Sequence, residues 1–157
     1  MSAWLYINIL VILIVLLTVD YSFTALPLHI IFGLTGLILV LFNWTRHAVF
    51  STIRNTSDRN KKIRLAAISK RIVPFHRWIG STAFILILTH AVLIINKYGF
   101  LVTSWKMISG ILAGVFLTGM VATGWLRYYL PSGNRRKAHI IFGFLLFFLV
   151  AIHTIIF

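Results

Sequence analysis

Apolar residues occur in five long runs along the chain, separated by short polar stretches. The runs cover approximately 4–19, 27–44, 77–96, 105–130 and 139–157. A helix needs about 20 predominantly apolar residues to cross a bilayer, and each run reaches or nearly reaches that length. The polar stretches are too short to hold a soluble domain. The pattern therefore predicts an all-α integral membrane protein, built as a single five-helix transmembrane bundle.

Composition agrees with this class. Of 157 residues, 60% are hydrophobic and only 11% are charged, and mean hydropathy is +0.97. Cysteine is absent, which excludes disulfides, thiolate metal sites and Fe–S clusters. The two acidic residues, Asp20 and Asp58, both lie between apolar runs. The sequence therefore does not predict a proton or ion pathway based on intramembrane carboxylates.

The basic residues are distributed unevenly between the two sides of the predicted membrane. Thirteen of the fifteen Lys and Arg residues lie in or beside the second and fourth connections, whereas only Lys97 and Lys106 lie on the other side. The positive-inside rule explains this asymmetry and the net charge of +13 without invoking nucleic acid. We therefore expect a multi-pass cell-membrane protein in contact with lipid, with its N-terminus cytoplasmic and its C-terminus outside. Abundant Phe, Ile and Leu are typical of a bacterial inner membrane.

Four histidines form two pairs with identical spacing. His76 lies immediately before the third run and His90 within it, and His139 and His153 lie on the fifth, with thirteen residues between the members of each pair. Fourteen helical steps return to within about 40° of the starting direction and rise about 21 Å. Both histidines of a pair therefore face the same way at opposite depths. The third and fifth helices are parallel, so His76 is expected level with His139 near the inner face, and His90 level with His153 near the outer face.

Each level supplies two imidazoles and no nearby acid. Zinc usually takes four ligands, often with help from Cys or carboxylate, whereas two axial positions are what a haem iron leaves open. The pattern predicts two b-type haems stacked between the third and fifth helices, with His76 and His139 on the inner iron and His90 and His153 on the outer iron. The structural alternative is that these side chains bond neighbouring helices or lie in the interface.

Each pair also contains a glycine four residues after its first histidine, which gives the repeated pattern H-x3-G-x9-H. These glycines, Gly80 and Gly143, remove side chains from the face against which a porphyrin would lie. Cations near the inner histidines are candidates to bind haem propionates. They are Arg71, Arg77, Arg136 and Lys137.

Two further groups have alternative interpretations. The glycines of the fourth run favour close helix packing over haem contact; they are Gly110, Gly114, Gly119 and Gly124. His29 and His47 bracket the second run, eighteen residues apart, and share one helix face. We expect them to be interface residues first, with an alternative ligand or a quinone contact as the second interpretation.

The histidine segments resemble a known family. The segments 76–80 (His-Arg-Trp-Ile-Gly), 89–90 (Thr-His), 137–139 (Lys-Ala-His) and 152–153 (Ile-His) are similar to the ferric reductase-like transmembrane domain. That domain is shared by ferric reductases, NADPH oxidases and the haem membrane subunit of a bacterial methionine sulfoxide reductase system. The resemblance covers roughly 46–157. It implies that the four histidines are axial ligands of two haems stacked across the membrane.

The chain also departs from this family. Larger relatives continue into a sixth helix and a cytoplasmic flavin and NADPH dehydrogenase domain, whereas this chain has no Gly-rich dinucleotide fingerprint and no soluble dehydrogenase domain. We therefore expect a separate electron donor, either a cytoplasmic flavoprotein reductase or a membrane quinol, and an extracytoplasmic acceptor.

The functional prediction is a di-haem b-type cytochrome that moves electrons from the cytoplasmic face to the outer face as a component of an oxidoreductase. No catalytic residue is expected on the chain itself, because the redox chemistry belongs to the cofactor. Two alternatives remain. One is a cytochrome b561-like quinol-oxidising subunit, and the other is a haem-free membrane scaffold subunit.

Overall fold

The computed structural model describes residues 26–155 and a few positions before them, namely Tyr6, Ile7, Ile9, Leu10, Leu13, Ile14 and Leu17. The predicted span 4–19 thus lies for the most part outside the described residues. The range 26–155 holds four helices: α1 (Leu28–Asn55), α2 (Arg59–Tyr98), α3 (Trp105–Tyr129) and α4 (Gly133–Ile155). All four are long and apolar enough to cross a membrane, as expected for an all-α membrane protein.

The first two helices are longer than the predicted spans. The basic stretch between them is helical except at residues 56–58, because its Lys, Arg, Leu and Ala residues are good helix formers. Asp58 caps the new helix start: its Oδ1 accepts hydrogen bonds from the backbone N–H of Asn60 at 2.9 Å and of Lys61 at 3.1 Å. The 40 residues of α2 span about 60 Å, twice the roughly 30 Å of bilayer hydrocarbon. The helix is therefore longer than a single crossing needs, and its charged residues are concentrated in its first half.

Short connections with local stop and start signals separate the other helices. Gly99 ends α2 with a φ of 77°, a left-handed conformation that favours glycine. Ser104 begins α3 by accepting a hydrogen bond from the N–H of Met107, and the Ser132 hydroxyl accepts one from Arg135 N–H at the start of α4. These connections make neighbouring helices antiparallel.

The helices pack as two hairpins, α1 with α2 and α3 with α4, joined mainly through α2 and α3. Ala83, Leu117 and Leu146 form the centre of the bundle and are at most 2% exposed. Trp44 of α1 stacks on Phe147 of α4, with ring centres 4.8 Å apart. No Cα atom of α2 or of α1 comes within 8 Å of one in α4 in the described part of the chain. The two helices that carry the histidine pairs are thus not direct neighbours, and the central cluster that includes Ala83 and Leu146 lies between them.

Candidate functional site

Imidazole rings from α2 and α4 meet at two levels. The ring centres of His76 and His139 are 6.1 Å apart, and those of His90 and His153 are 6.5 Å apart. We call the first the basic-end pair, because it lies towards the connections rich in Lys and Arg, and the second the far-end pair. The ring planes are inclined at 81° in both pairs. The two levels therefore have almost the same ring geometry.

The ring separations suit one metal ion between each pair. An imidazole nitrogen binds a first-row metal at about 2.0 Å and lies about 1.1 Å from its ring centre, so two rings facing each other across one metal have centres about 6.2 Å apart. The observed 6.1 and 6.5 Å bracket this value. No group of three or more His, Cys, Asp or Glu side chains is suited to hold a metal among the described residues. Each pair therefore supplies two imidazoles and no further protein ligand among the described residues. The separations and the inclination of 81° are also those of ordinary edge-to-face ring pairs.

Both rings of the far-end pair are oriented by backbone carbonyls on neighbouring helices. The Nδ1–H of His90 donates to the carbonyl oxygen of His29 on α1 at 2.6 Å, and the Nδ1–H of His153 donates to the carbonyl of Lys106 on α3 at 3.0 Å. A carbonyl can only accept, so Nδ1 carries the proton in each ring. Nε2 then keeps the lone pair that a metal requires.

The basic-end pair has only one such bond. The Nδ1–H of His139 donates to the carbonyl of Met120 on α3 at 2.9 Å. The Nδ1 of His76, in contrast, is buried and has no hydrogen-bond partner within the residues that the structure describes. Asn43 of α1 contacts this region differently: its Nδ2 donates to the backbone carbonyl of His76 at 3.1 Å. Three of the four imidazoles therefore carry their proton on Nδ1 and keep the lone pair on Nε2.

Glycines on α1 and α3 make room for these three rings. A Cβ atom added at Gly33 would lie 2.8 Å from His90 Nδ1, and one at Gly110 would lie 2.9 Å from His153 Cε1. At Gly124 the added atom would lie 3.3 Å from His139 Cε1. Any side chain at the first two positions would push the imidazole out of place. These glycines determine where the rings can lie.

A narrow cleft of about 30 Å³ opens beside the basic-end pair. Its walls come from α2 and α3 with single contributions from α1 and α4, and they include both histidines of the pair together with Gly80, Arg77 and Trp125. The indole Nε1–H of Trp125 donates to the hydroxyl of Ser81 at 3.0 Å, which fixes one wall. The cleft is a mainly apolar space between the helices.

Two arginine side chains near this level carry buried donors without a partner among the described residues. They are Nη1 of Arg77 and Nε of Arg46. The guanidinium of Arg77 lies over the ring of Tyr128, 3.5 Å from its centre, and 5.5 Å from that of Trp125, which holds it against the cleft by cation–π attraction. Buried guanidinium N–H groups without partners favour an anionic partner such as a carboxylate.

The other residues predicted for the site lie in different surroundings. Gly80 lines the basic-end cleft, whereas Gly143 is buried and lies near Trp44 and Met120, at 3.5 and 3.7 Å from where its Cβ would be. His29 is buried with its ring 6.1 Å from that of Tyr98. His47 stacks on Trp44 and meets the ring of Phe144 edge-on. Arg71, Arg136 and Lys137 are exposed.

Sequence reasoning missed two parts of the site. It did not single out Gly33 or Arg46, and it favoured simple packing for the glycines of α3, although Gly110 and Gly124 contact histidine rings. The signal was present, because Gly110 and Gly124 are fourteen residues apart, the same spacing as each histidine pair. Packing does explain Gly119, which faces Phe142, and Gly114 has no described neighbour within 4 Å of an added Cβ.

Comparison of the chain with models of known protein families, with curated proteins and with solved structures gives no match.

Proposed function

We propose that the chain binds two b-type haems, one between the rings of each histidine pair, and conducts electrons across the membrane. The observation that carries the proposal is the ring geometry: two imidazole pairs have centres 6.1 and 6.5 Å apart, where two rings on one metal require about 6.2 Å. A haem held by two imidazoles supplies one-electron chemistry between its ferric and ferrous states and has no open coordination position.

The chain's own residues suit this cofactor. The carbonyls of His29, Lys106 and Met120 hold three imidazoles with Nε2 available. Hydrogen bonds of this kind orient a ligand ring and increase its basicity. Arg77, whose buried Nη1 faces the basic-end level without a partner among the described residues, is the candidate to bind a propionate, and Arg46 is a second.

We assign the basic end to the cytoplasmic face by the positive-inside rule. The basic-end pair is then the inner site and the far-end pair the outer site. The start of α2 carries a cluster of cations that attracts acidic surfaces by electrostatic steering; they are Arg59, Lys61, Lys62, Arg64, Lys70 and Arg71. A cytoplasmic flavoprotein that docks there would be the donor, with a membrane quinol as the alternative donor, and the acceptor would lie outside.

Electron flow into sealed vesicles tests the proposal. The haem-replete protein is reconstituted into liposomes that contain ferricyanide, and dithionite is added outside, so each electron that crosses reduces one ferricyanide. We expect the trapped ferricyanide to bleach faster than in protein-free vesicles and in vesicles with His90→Ala. Equal rates in all three would contradict transmembrane conduction. Haem reduction by an added quinol without any flavoprotein would identify the quinol-oxidising alternative, and absence of haem would support the scaffold alternative.

A further inference from the structure

The three hydrogen-bonded histidines share one local arrangement on the neighbouring helix. In each case the accepting carbonyl belongs to residue i and the glycine that contacts the same ring is residue i+4: His29 with Gly33, Lys106 with Gly110, and Met120 with Gly124. Side chains of a helix tilt towards its N-terminus, so the side chain at i+4 covers the carbonyl at i. Glycine at i+4 exposes this carbonyl to a second donor. We call this arrangement an imidazole seat.

The seats repeat with the same period as the histidines. On α3 the carbonyls of Lys106 and Met120 are fourteen residues apart, and they serve the two histidines of α4. On α1 the seat of His90 begins at His29, so the same period places the seat of His76 at the carbonyl of Asn43. The side chain of Asn43 does contact α2 at this level, through the bond from its Nδ2 to the backbone carbonyl of His76.

This fourth seat lacks its glycine. Four residues after Asn43 the chain has His47, whose ring lies against Trp44 and Phe144. A residue with a Cβ at this position covers the carbonyl of Asn43, whereas glycine leaves the carbonyl exposed in the other three seats. The absence of glycine at residue 47 accounts for the buried Nδ1 of His76 that has no partner within the described residues.

The two histidine pairs differ in the number of seats that they occupy, and this would give their irons different reduction potentials. A hydrogen bond from Nδ1–H makes Nε2 a stronger electron donor, which stabilises ferric iron more than ferrous iron and lowers the reduction potential. The far-end pair has two such bonds and the basic-end pair has one. The charges of Arg46 and Arg127 act on both basic-end histidines, whereas at the far end the charge of Lys106 acts on His153. Nearby cations favour the less positive ferrous form, and this effect is larger where two cations act on both rings.

We infer that residue 47 sets the difference between the two sites: because His47 closes the fourth seat, the basic-end iron has the higher reduction potential. This inference rests on the proposed function. An electron that enters from the cytoplasmic side is then held at the basic-end level. Its further transfer outward is favoured by a membrane potential that is negative inside and by the acceptor.

Redox titration of the haem absorption bands, on purified haem-loaded protein, tests the inference with one pair of variants. His47→Gly opens the fourth seat, whereas His47→Ala removes the same imidazole but keeps a Cβ over the carbonyl. We expect the wild type to titrate as two one-electron components. In His47→Gly the higher component should shift down relative to His47→Ala, with the lower component unchanged in both.

A second pair of variants tests the same idea from the far end. Gly110→Ala places a Cβ against His153 and should raise the lower component or remove that haem, while the higher component remains. Gly114→Ala is the matched control on the same helix, because no described atom lies within 4 Å of its added Cβ, and it should move neither component. This pair remains informative if the His47 variants do not fold.

The possible results distinguish failure of the proposed function from failure of the inference about residue 47. Protein that binds no haem after haem-replete expression overturns the proposed function and this inference together. Two haems with equal potentials in the wild type overturn the inference alone. So does a His47→Gly variant that shifts the lower component or matches His47→Ala, and so does a Gly110→Ala variant that shifts the higher one.

Discussion

The basic-end and far-end histidine pairs have the same ring geometry but different surroundings. Their ring centres differ in separation by only 0.4 Å, 6.1 against 6.5 Å. The far-end pair is fixed by two carbonyls and two glycines, whereas the basic-end pair has one of each, a cleft and buried guanidinium groups.

This difference separates two kinds of information in the sequence. The period of the helix fixes the direction of each histidine on α2 and α4, so equal spacing gives equal ring geometry. The partners of each ring come from α1 and α3, and they depend on single residues such as Gly33 and His47. The helix that carries a histidine therefore determines where its ring lies. Residues on the neighbouring helices determine how strongly its Nε2 would donate to a metal.

The largest expected effect comes from removing one ligand. His90→Ala should reduce the haem content from about two per chain to about one, because an iron that loses one of two axial imidazoles is bound weakly. The haem that remains should be the basic-end one. His139→Ala should leave the far-end haem instead. Pyridine haemochrome quantification against protein mass measures both.

Added imidazole provides the control for folding. Imidazole can occupy the space that the His90→Ala substitution creates and should restore the second haem in a folded protein. Two haems in either variant without added imidazole would show that the two pairs are not the ligand sets.

A substitution at the shared core should affect both pairs equally. Leu117 is 1% exposed and lies in the central cluster with Leu146. Leu117→Ala should lower the free energy of unfolding by about 2–4 kcal/mol through the cavity that it leaves. Unfolding by SDS in mixed micelles measures the change. Val115→Ala, at a position that is 61% exposed on the same helix, should cost less than about 1 kcal/mol. A loss confined to one haem level would argue against a common core.

A smaller effect should follow from closing one seat. Gly33→Ala places a Cβ 2.8 Å from His90 Nδ1, which should displace the ring from the carbonyl of His29. Loss of such an orienting bond typically weakens metal affinity about 10- to 100-fold, and here the loss should be confined to the far-end haem. The rate at which haem transfers to a soluble acceptor protein measures haem release from each histidine pair. Gly114→Ala is the control. Equal haem release from Gly33→Ala and Gly114→Ala would show that the seat on α1 does not contribute to haem binding.

The smallest expected change concerns the guanidinium at the basic end. Arg77→Gln should weaken the basic-end haem about fivefold to tenfold, because it removes a charge-assisted donor that is partly screened by its surroundings. Arg71→Gln changes the same charge at an exposed position and should leave both haems bound as in the wild type. If Arg71→Gln matches Arg77→Gln, net charge rather than a specific contact is responsible.

Much of the described fold could be predicted from hydropathy, because lipid requires long apolar helices. The helix extensions of α1 and α2 could not, because hydropathy detects only the part of a helix that is apolar. The basic residues between Arg46 and Arg77 form helix as readily as apolar ones, and Asp58 starts the second helix.

The site likewise has a part that could be predicted from the sequence and a part that could not. The four histidines follow from spacing alone, because one helix carries each pair. The seats combine residues from two helices, and a pattern such as Gly110 and Gly124 becomes meaningful only when His153 and His139 are known to lie against them. The contact of Arg77 with Tyr128 likewise depends on the packing of α2 against α3.

The most direct test of the central claim is the reduced-minus-oxidised absorption spectrum of the purified protein after haem-replete expression, with haem measured by pyridine haemochrome. We expect about two b-type haems per chain, with a sharp alpha band in the reduced form, because each histidine pair would hold one iron with both axial positions filled. Protein that is folded and free of haem under these conditions would contradict this expectation.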